Sequence, residues 1–405
     1  MRPVKFAESA LLTVITPYLW TLSLFAVVMP PFLILRRAPS DRLWLFHLLR
    51  IIFAAYTLLQ LTVGFSVEHI KNIVVSSFVL KNSLDNMTRI LSIGINIMQI
   101  MVQIVIYMQA LTGHQLLRSI LTKVVQLESD IRKHCTTMCS LRAIRWRFCL
   151  RIGIWWFIVS FFLLQLSYAL SDQNLAPRFR WITVVFSLLS QIKVLEYCVS
   201  VLLIQELLHL VYQQLAYLRR ELALCENVEL RGSLYVELQS NQQLLARVWQ
   251  LLSEVERYFC IPISLVFFYH GFTITQTILW GYTNLEFEDF NLRLCRIAFT
   301  IMIIASLFIP CYLSQCCIDE YNRFGTLLHK LKTVGIDVNL SMRLQEYSFQ
   351  LMHQKMLFTC GGLFDINLKN FGTIILTITI YVVILIQFKL QSVKERRSSI
   401  ETSFG

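Results

Sequence analysis

The sequence predicts an all-α, polytopic membrane protein, and three observations carry that prediction. Of its 405 residues, 56% are hydrophobic and only 15% are charged, against about 25% charged in an average soluble chain. Gly and Pro number only 13 and 8, which argues against collagen-like, disordered and Gly-rich nucleotide-cradling designs. Uncharged runs close to the ~20 residues that a membrane helix needs recur along the whole chain. A soluble chain of this length would form two or three domains with polar surfaces, and this one lacks the residues to cover them.

The N-terminal segment 1–42 contains an uncharged stretch, 9–35, interrupted by Pro17, Pro30 and Pro31. Proline removes a backbone donor and kinks or ends a helix, so 9–35 is expected to be embedded or re-entrant rather than a straight span. It is too long for a signal peptide and no small-residue cleavage site follows it. Seven spans are then expected, at 43–67, 90–111, 152–170, 181–213, 259–283, 297–317 and 371–388. In the first, Arg50 lies near one end, where it could snorkel to the headgroups. The fourth carries Lys193, Glu196 and Glu206. Unpaired charges at that depth are costly, so Lys193 and Glu196, at i and i+3, are expected to pair, either as a structural element or as part of a pocket wall.

Basic residues set the orientation. Segments 1–42, 112–151, 214–257 and 316–370 hold 24 Lys and Arg, while 66–89, 171–180, 284–296 and 389–405 hold 11. The positive-inside bias makes the first set cytosolic, with the N-terminus inside and the C-terminus outside. The sequon Asn86-Met87-Thr88 then falls in the first outer loop, a glycosylation candidate, whereas Asn339-Leu340-Ser341 falls inside. Of 11 cysteines only Cys295 lies at an outer end, so no extracellular disulfide within the chain is expected and the thiols should be reduced.

The cytosolic segments 214–258 and 318–370 read as helices. Leu244/Leu245, Val248, Leu251/Leu252, Val255 and Tyr258 recur at helical spacing, as do Ile318, Tyr321, Phe324, Leu328 and Leu331, and more weakly Leu344, Tyr347, Leu351 and Phe358. Spans four to seven thus extend into the cytosol as an anchor bundle. Each stripe must be buried, within one subunit or also against neighbouring subunits; periodicity fixes the face, not the partner.

No enzyme signature is present: there is no Gly-x-Gly-x-x-Gly, phosphate-loop lysine motif or His-Glu-x-x-His. Catalytic residues, cofactors and metals are therefore not expected. His134-Cys135 and Cys139 have no second pair to complete a tetrahedral metal site. The net charge of +12 sits at the ends of apolar runs rather than on a basic stripe with stacking aromatics, so nucleic acid is not an expected partner. Glu256-Arg257-Tyr258 precedes a span instead of ending one, and no Asn-Pro pair occurs, which with the inverted topology speaks against a G-protein-coupled receptor. A secondary transporter would show paired halves and Gly- or Pro-broken helices; it is retained as the alternative.

The last span contains Tyr381, five apolar residues, then Gln387 and Phe388. This resembles the C-terminal signature of insect gustatory receptors, Thr-Tyr, five apolar residues, Gln-Phe. Seven inverted spans, a length near 400 and long cytosolic helices are similar to that family as well. Two departures stand out: Ile380 replaces the threonine before Tyr381, with Thr379 one place earlier, and Val382 stands where the sugar-receptor branch has Glu. A bitter or divergent receptor is therefore expected. The tail 389–405, with Lys389, Lys394, Arg396 and Arg397, is long for the family.

The resemblance implies a plasma-membrane, ligand-gated, nonselective cation channel, a homotetramer or a heterotetramer with related receptors, that needs no G protein. Seventh spans would line the pore, and a small-molecule tastant would bind in the outer half of the first six spans of each subunit, 43–317. Helical arithmetic places Thr373, Thr377, Ile380/Tyr381, Ile384 and Gln387/Phe388 on one face, which could line a pore or pack as in any membrane helix. Candidate pocket residues are Tyr168, Trp181, Gln191, Lys193, Glu196, Tyr197, Tyr269, His270, Gln276 and Trp280, since aromatic walls with a few polar groups suit small organic ligands.

Overall fold

The computed structural model describes residues 9–28, 30, 45, 48–60, 62–63, 83–134, 141–170, 177–224, 228–283, 289–330 and 338–404. Its elements are helices α1 (Ala10–Leu24), α2 (Leu48–Gln60), α3 (Ser83–Thr112), α4 (His114–His134), α5 (Leu141–Phe148), α6 (Ile154–Leu170), α7 (Pro177–Leu224), α8 (Val228–Thr283), α9 (Phe290–His329), α10 (Val338–His353) and α11 (Leu368–Phe404). A π-helical turn, Cys149–Gly153, joins α5 to α6. Six helices among the described residues are long and apolar enough to cross a membrane; α2, which occupies the expected first span, is described over 13 residues only.

The molecule is organised around α7 and α8, which pack along each other and are flanked by α3, α6 and α9. In the apolar stretch of α7, 89% of residues are buried, against 11% in that of α11. Residues of α7 are thus the core, and α11 rides on the outside against α8 and α9. Helices of 48, 56 and 40 residues far exceed the ~20 residues that cross a bilayer, so α7, α8 and α9 each run on past the membrane as one rod. Pro262 and Pro310 are carried inside α8 and α9 without ending them.

The three stripes find their partners inside one subunit. Val248, Leu251, Val255, Tyr321, Phe324, Leu344 and Tyr347 all belong to the same buried core. Buried Asn241 of α8 donates to Val211 O (3.0 Å) and Gln214 Oε1 (3.1 Å) of α7, and accepts from Tyr347 Oη of α10 (2.8 Å). This polar node, in which both amide groups of Asn241 are engaged, fixes register among three helices. Phe358 reaches the core from a hairpin rather than from α10, which ends at His353. An interface between subunits would have to use other residues of this region, such as exposed Val338, Met342, Phe349 and Met352.

Two expectations about the N-terminal third need correction. Arg50 does not reach outward: it is buried, donating to the carbonyls of Ala26 (2.9 Å), Val27 (3.2 Å) and Ala110 (2.6 Å). Those carbonyls follow α1 and end α3, where helical acceptors lack intrahelical partners, and they compete with headgroups for the guanidinium. Pro17, for its part, does not interrupt α1. That helix is capped by Ser9, whose hydroxyl accepts from Leu12 N (3.1 Å), and is pinned to α4 by Glu128, which accepts from Ser9 Oγ and from the backbone N–H of Ala10 (3.0 Å). A carboxylate at a helix N-terminus also complements the helix dipole.

Candidate functional site

Helix α11 has one packed face. Phe371, Ile374 and Ile378 lie against the core and Val382 is buried; Ile378 Cδ1 comes within 3.7 Å of a Cβ built on Gly271 of α8. The side that faces away carries Thr373, Thr377, Ile380, Tyr381, Ile384, Gln387 and Phe388, every one exposed. Tyr381 is 61% and Phe388 59% exposed. Leu376, Thr379 and Val383 are exposed too, so the bare sector is broader than the expected stripe. The threonines satisfy their hydroxyls locally: Thr377 Oγ1 donates to Thr373 O (2.8 Å) and Thr373 Oγ1 to Lys369 O (3.2 Å). The helix continues without a break past Phe388 to Phe404, so the basic tail prolongs the rod.

A compact hairpin at 354–367 holds the base of α11. Its turn uses Gly361 (φ 60°) and Gly362 (φ 77°), conformations that side chains with a Cβ resist. It is closed by Cys360 N to Phe364 O (2.9 Å) and Ile366 N to Phe358 O (2.7 Å). A Cβ on Gly361 would sit 2.5 Å from Cys260 Sγ. Thr359 N donates to Glu256 Oε1 of α8 (2.7 Å), and Asn367 caps α11 by accepting from Asn370 N (2.8 Å). Burial pushes the Cys360 thiol up to about 11. Glu256 of the Glu256-Arg257-Tyr258 triplet therefore grips this hairpin.

The candidate pocket residues separate into three groups along α7 and α8. Tyr168 stacks at a tilt on Trp181 (5.1 Å between centroids), with Trp181 exposed, and Gln276 and Trp280 sit at the same, C-terminal, end of α8. In the middle, Gln191 Oε1 accepts from Ser306 Oγ (2.7 Å), and Gln191 Nε2 lies 3.4 Å from His270 Nε2. Trp156 Nε1 donates to Gln191 O (3.4 Å), and the Tyr269 ring lies 5.5 Å from that of His270. His270 Nδ1 and Ser160 Oγ are buried without a hydrogen-bond partner among the described residues. A cavity of about 20 Å³ lies here between α6, α7 and α9, lined among others by Trp156, Gln191, Cys198 and Ser306. Sequence reasoning missed Ser306 and Trp156, because nothing local marks a serine or tryptophan as facing a glutamine on another helix.

The third group stands apart. Lys193 Nζ and Glu196 Oε2 are 2.6 Å apart and only 1% and 3% exposed. Tyr258 Oη donates to Glu196 Oε1 (2.9 Å), and Lys193 Nζ lies 4.9 and 5.0 Å from the Tyr258 and Phe259 ring centres. The pair is thus buried from water, with cation–π contacts on the ammonium. Tyr197 bonds Ser314 Oγ (2.9 Å) and lines a cavity of about 10 Å³ beside Cys360 and Phe358. The sequon residue Asn86 falls in the first turn of α3. No cluster of His, Cys, Asp or Glu among the described residues could hold a metal ion.

Comparison with known proteins gives this arrangement a family. A sequence profile described as 7tm chemosensory receptor matches residues 15–392. Gustatory receptor 98b of Drosophila melanogaster is 33% identical over 396 residues, covering 96% of this chain and 98% of that one. Gustatory receptor 98c of the same fly is 28% identical over 411 residues, covering 98% of each. Among solved structures, the insect olfactory receptor OR5 from Machilis hrabei superposes with a TM-score of 0.60 at 10% identity, over 83% of this chain and 89% of that one; its complex with eugenol gives 0.58 at 12%. The chain is a membrane protein of the 7tm chemosensory receptor family, similar in sequence to insect gustatory receptors.

Proposed function

We propose that the chain is a subunit of a ligand-gated, nonselective cation channel of the plasma membrane, opened by a small organic tastant. The observation that carries this reading is the bare face of α11. A packed membrane helix would bury its polar and aromatic side chains against neighbours, yet Thr377, Tyr381, Gln387 and Phe388 have no such cover in one subunit. Four subunits placing these faces around an axis would cover them and enclose a path for ions. A secondary transporter is the alternative reading. Currents evoked by tastants in bilayers holding the purified protein are the test; saturable uptake without unitary currents would overturn the reading.

The ligand site in this proposal is the Gln191–Ser306–His270 region. Its orphaned His270 Nδ1 and Ser160 Oγ are polar groups awaiting partners, and aromatic Trp156 and Tyr269 stand beside them. The cavity, lined by Gln191 and Ser306 but not by His270, holds little more than a water, so a ligand enters only if the helices around Gln191 move apart. Gln191→Leu and Ser306→Ala are each expected to raise the half-maximal tastant concentration roughly five- to tenfold, the worth of one hydrogen bond, with surface expression unchanged. Unaltered dose–response curves for both would move the site elsewhere.

The orientation is proposed from the basic asymmetry: N-terminus and the Glu128, Asn241 and hairpin regions inside, C-terminus outside. An epitope fused after Gly405 is expected to stain on unpermeabilised cells. Staining only after permeabilisation would invert the assignment, and with it the exposure of Asn86 to glycosylation.

A further inference from the structure

The junction of α5 with α6 carries an unused cationic surface. On this stretch Ile144, Phe148 and Ile152 are buried, while Arg142, Arg145, Trp146 and Cys149 are exposed on the opposite side. Two neighbouring arginines are spent inside the fold: Arg147 on Glu206 (2.6 Å) and Arg151 on Gln205 (2.8 Å). Arg142 and Arg145 make no ion pair or hydrogen bond among the described residues. The π turn, Cys149–Gly153, adds a residue to the helix, and the same rod then becomes a lipid-facing span with exposed Ile154, Trp155, Phe157 and Phe161. Trp146, 62% exposed, thus stands one to two turns beyond the apolar span, between it and the arginines. That is the depth of the headgroups, where an indole is amphipathic enough to anchor and a guanidinium binds phosphate in a bidentate fashion.

We infer that Arg142, Arg145 and Trp146 form a docking site for the headgroup of an anionic phospholipid. Charge complementarity names the occupant: two guanidinium groups without an acidic partner among the described residues, beside a bilayer, select an anionic lipid over a zwitterionic one. The site needs only that α6 spans the membrane; the assignment of this leaflet to the cytosolic side, where anionic lipids concentrate, rests on the orientation proposed above.

The test reads Trp146 fluorescence in the full-length protein reconstituted into bilayers of phosphatidylcholine. Brominated phosphatidylserine or brominated phosphatidylcholine is added as quencher in both leaflets, and a Trp146→Phe variant isolates the signal. At a low fraction of quencher, phosphatidylserine is expected to be roughly tenfold more effective, given the attraction of two arginines near a charged surface. Arg142→Gln/Arg145→Gln should bring the two lipids to parity while leaving the protein folded by its thermal midpoint. Equal quenching in the unaltered protein, a preference that survives the double substitution, or no quenching by either lipid because protein covers the site, would each overturn the inference. None of these readings depends on current or tastant, so they stand apart from the channel proposal.

Discussion

Glu196→Ala is expected to lower the stability of the purified protein by about 3–5 kcal/mol, because it strands a lysine that is 1% exposed without its counter-charge. The substitution also removes the acceptor of Tyr258 Oη, which is 2.9 Å away, so a second buried group goes unsatisfied. Glu196→Gln should fall between, since an amide still accepts from Tyr258 but cannot neutralise Lys193. The double variant Lys193→Met/Glu196→Leu removes both charges and refills the volume with apolar atoms, and it should recover most of the loss. Thermal unfolding followed by size-exclusion chromatography of the detergent-solubilised protein separates these outcomes. A Glu196→Ala midpoint equal to that of the unaltered protein would show that water reaches Lys193, and the sealed junction between α7 and α8 would have to be abandoned. Were the pair part of the ligand pocket instead, the double variant would lose tastant response while keeping its fold.

That pair illustrates how far the sequence reaches. Its i, i+3 spacing on one helix was enough to predict the contact, because helical geometry brings such side chains together wherever the helix lies. The long helices and the buried side of each cytosolic stripe were legible for the same reason. Tyr258, by contrast, meets Glu196 across 62 positions of chain, and no local pattern specifies which helix will be its neighbour. The carbonyl partners of Arg50 belong to two segments remote in sequence, and a backbone acceptor leaves no trace in side-chain identity. The hairpin at 354–367 hid in a stretch read as helical because Phe358 fits both a helical face and a buried hairpin strand. Two adjacent glycines at 361 and 362 were its signature, and they mark a turn by allowing positive φ. For the candidate site, residue types narrowed the field to ten positions. Their division into an exposed aromatic end, a polar middle and a sealed charge pair required knowing which turns of α6, α7, α8 and α9 stand side by side.

Phe388→Ala is expected to raise ligand-independent current, and this prediction falls on the part of the molecule least packed within one subunit. In the proposed channel, four Phe388 rings converge near the outer end of the pore, excluding water and leaving a cation with no group to replace its hydration shell. Gln387 lies ~100° around the helix from it, so a modest rotation of α11 exchanges ring for amide. Such rotation has room: the helix is held mainly by Phe371, Ile374, Ile378 and Val382, and its base is fixed by the Asn367 cap and the hairpin on Glu256. Gln387→Ala should therefore lower conductance or response with less basal leak than Phe388→Ala. Substitutions at Thr377 and Ile384, deeper on the same side, should change conductance more than tastant sensitivity. Cysteines placed singly at 384, 387 and 388 then report the geometry, by block with a charged thiol reagent in the presence and absence of tastant. Exposed Cys149 and half-buried Cys260, Cys295 and Cys316 must first be replaced, whereas Cys360, buried and with its thiol pushed up to about 11, has little thiolate at neutral pH and should stay silent. State-dependent block at 387 and 388 is the expected result. Absence of block at all three positions would mean that this face meets protein or lipid rather than water, and the gate would have to be sought on the Leu376–Thr379–Val383 side of the same helix.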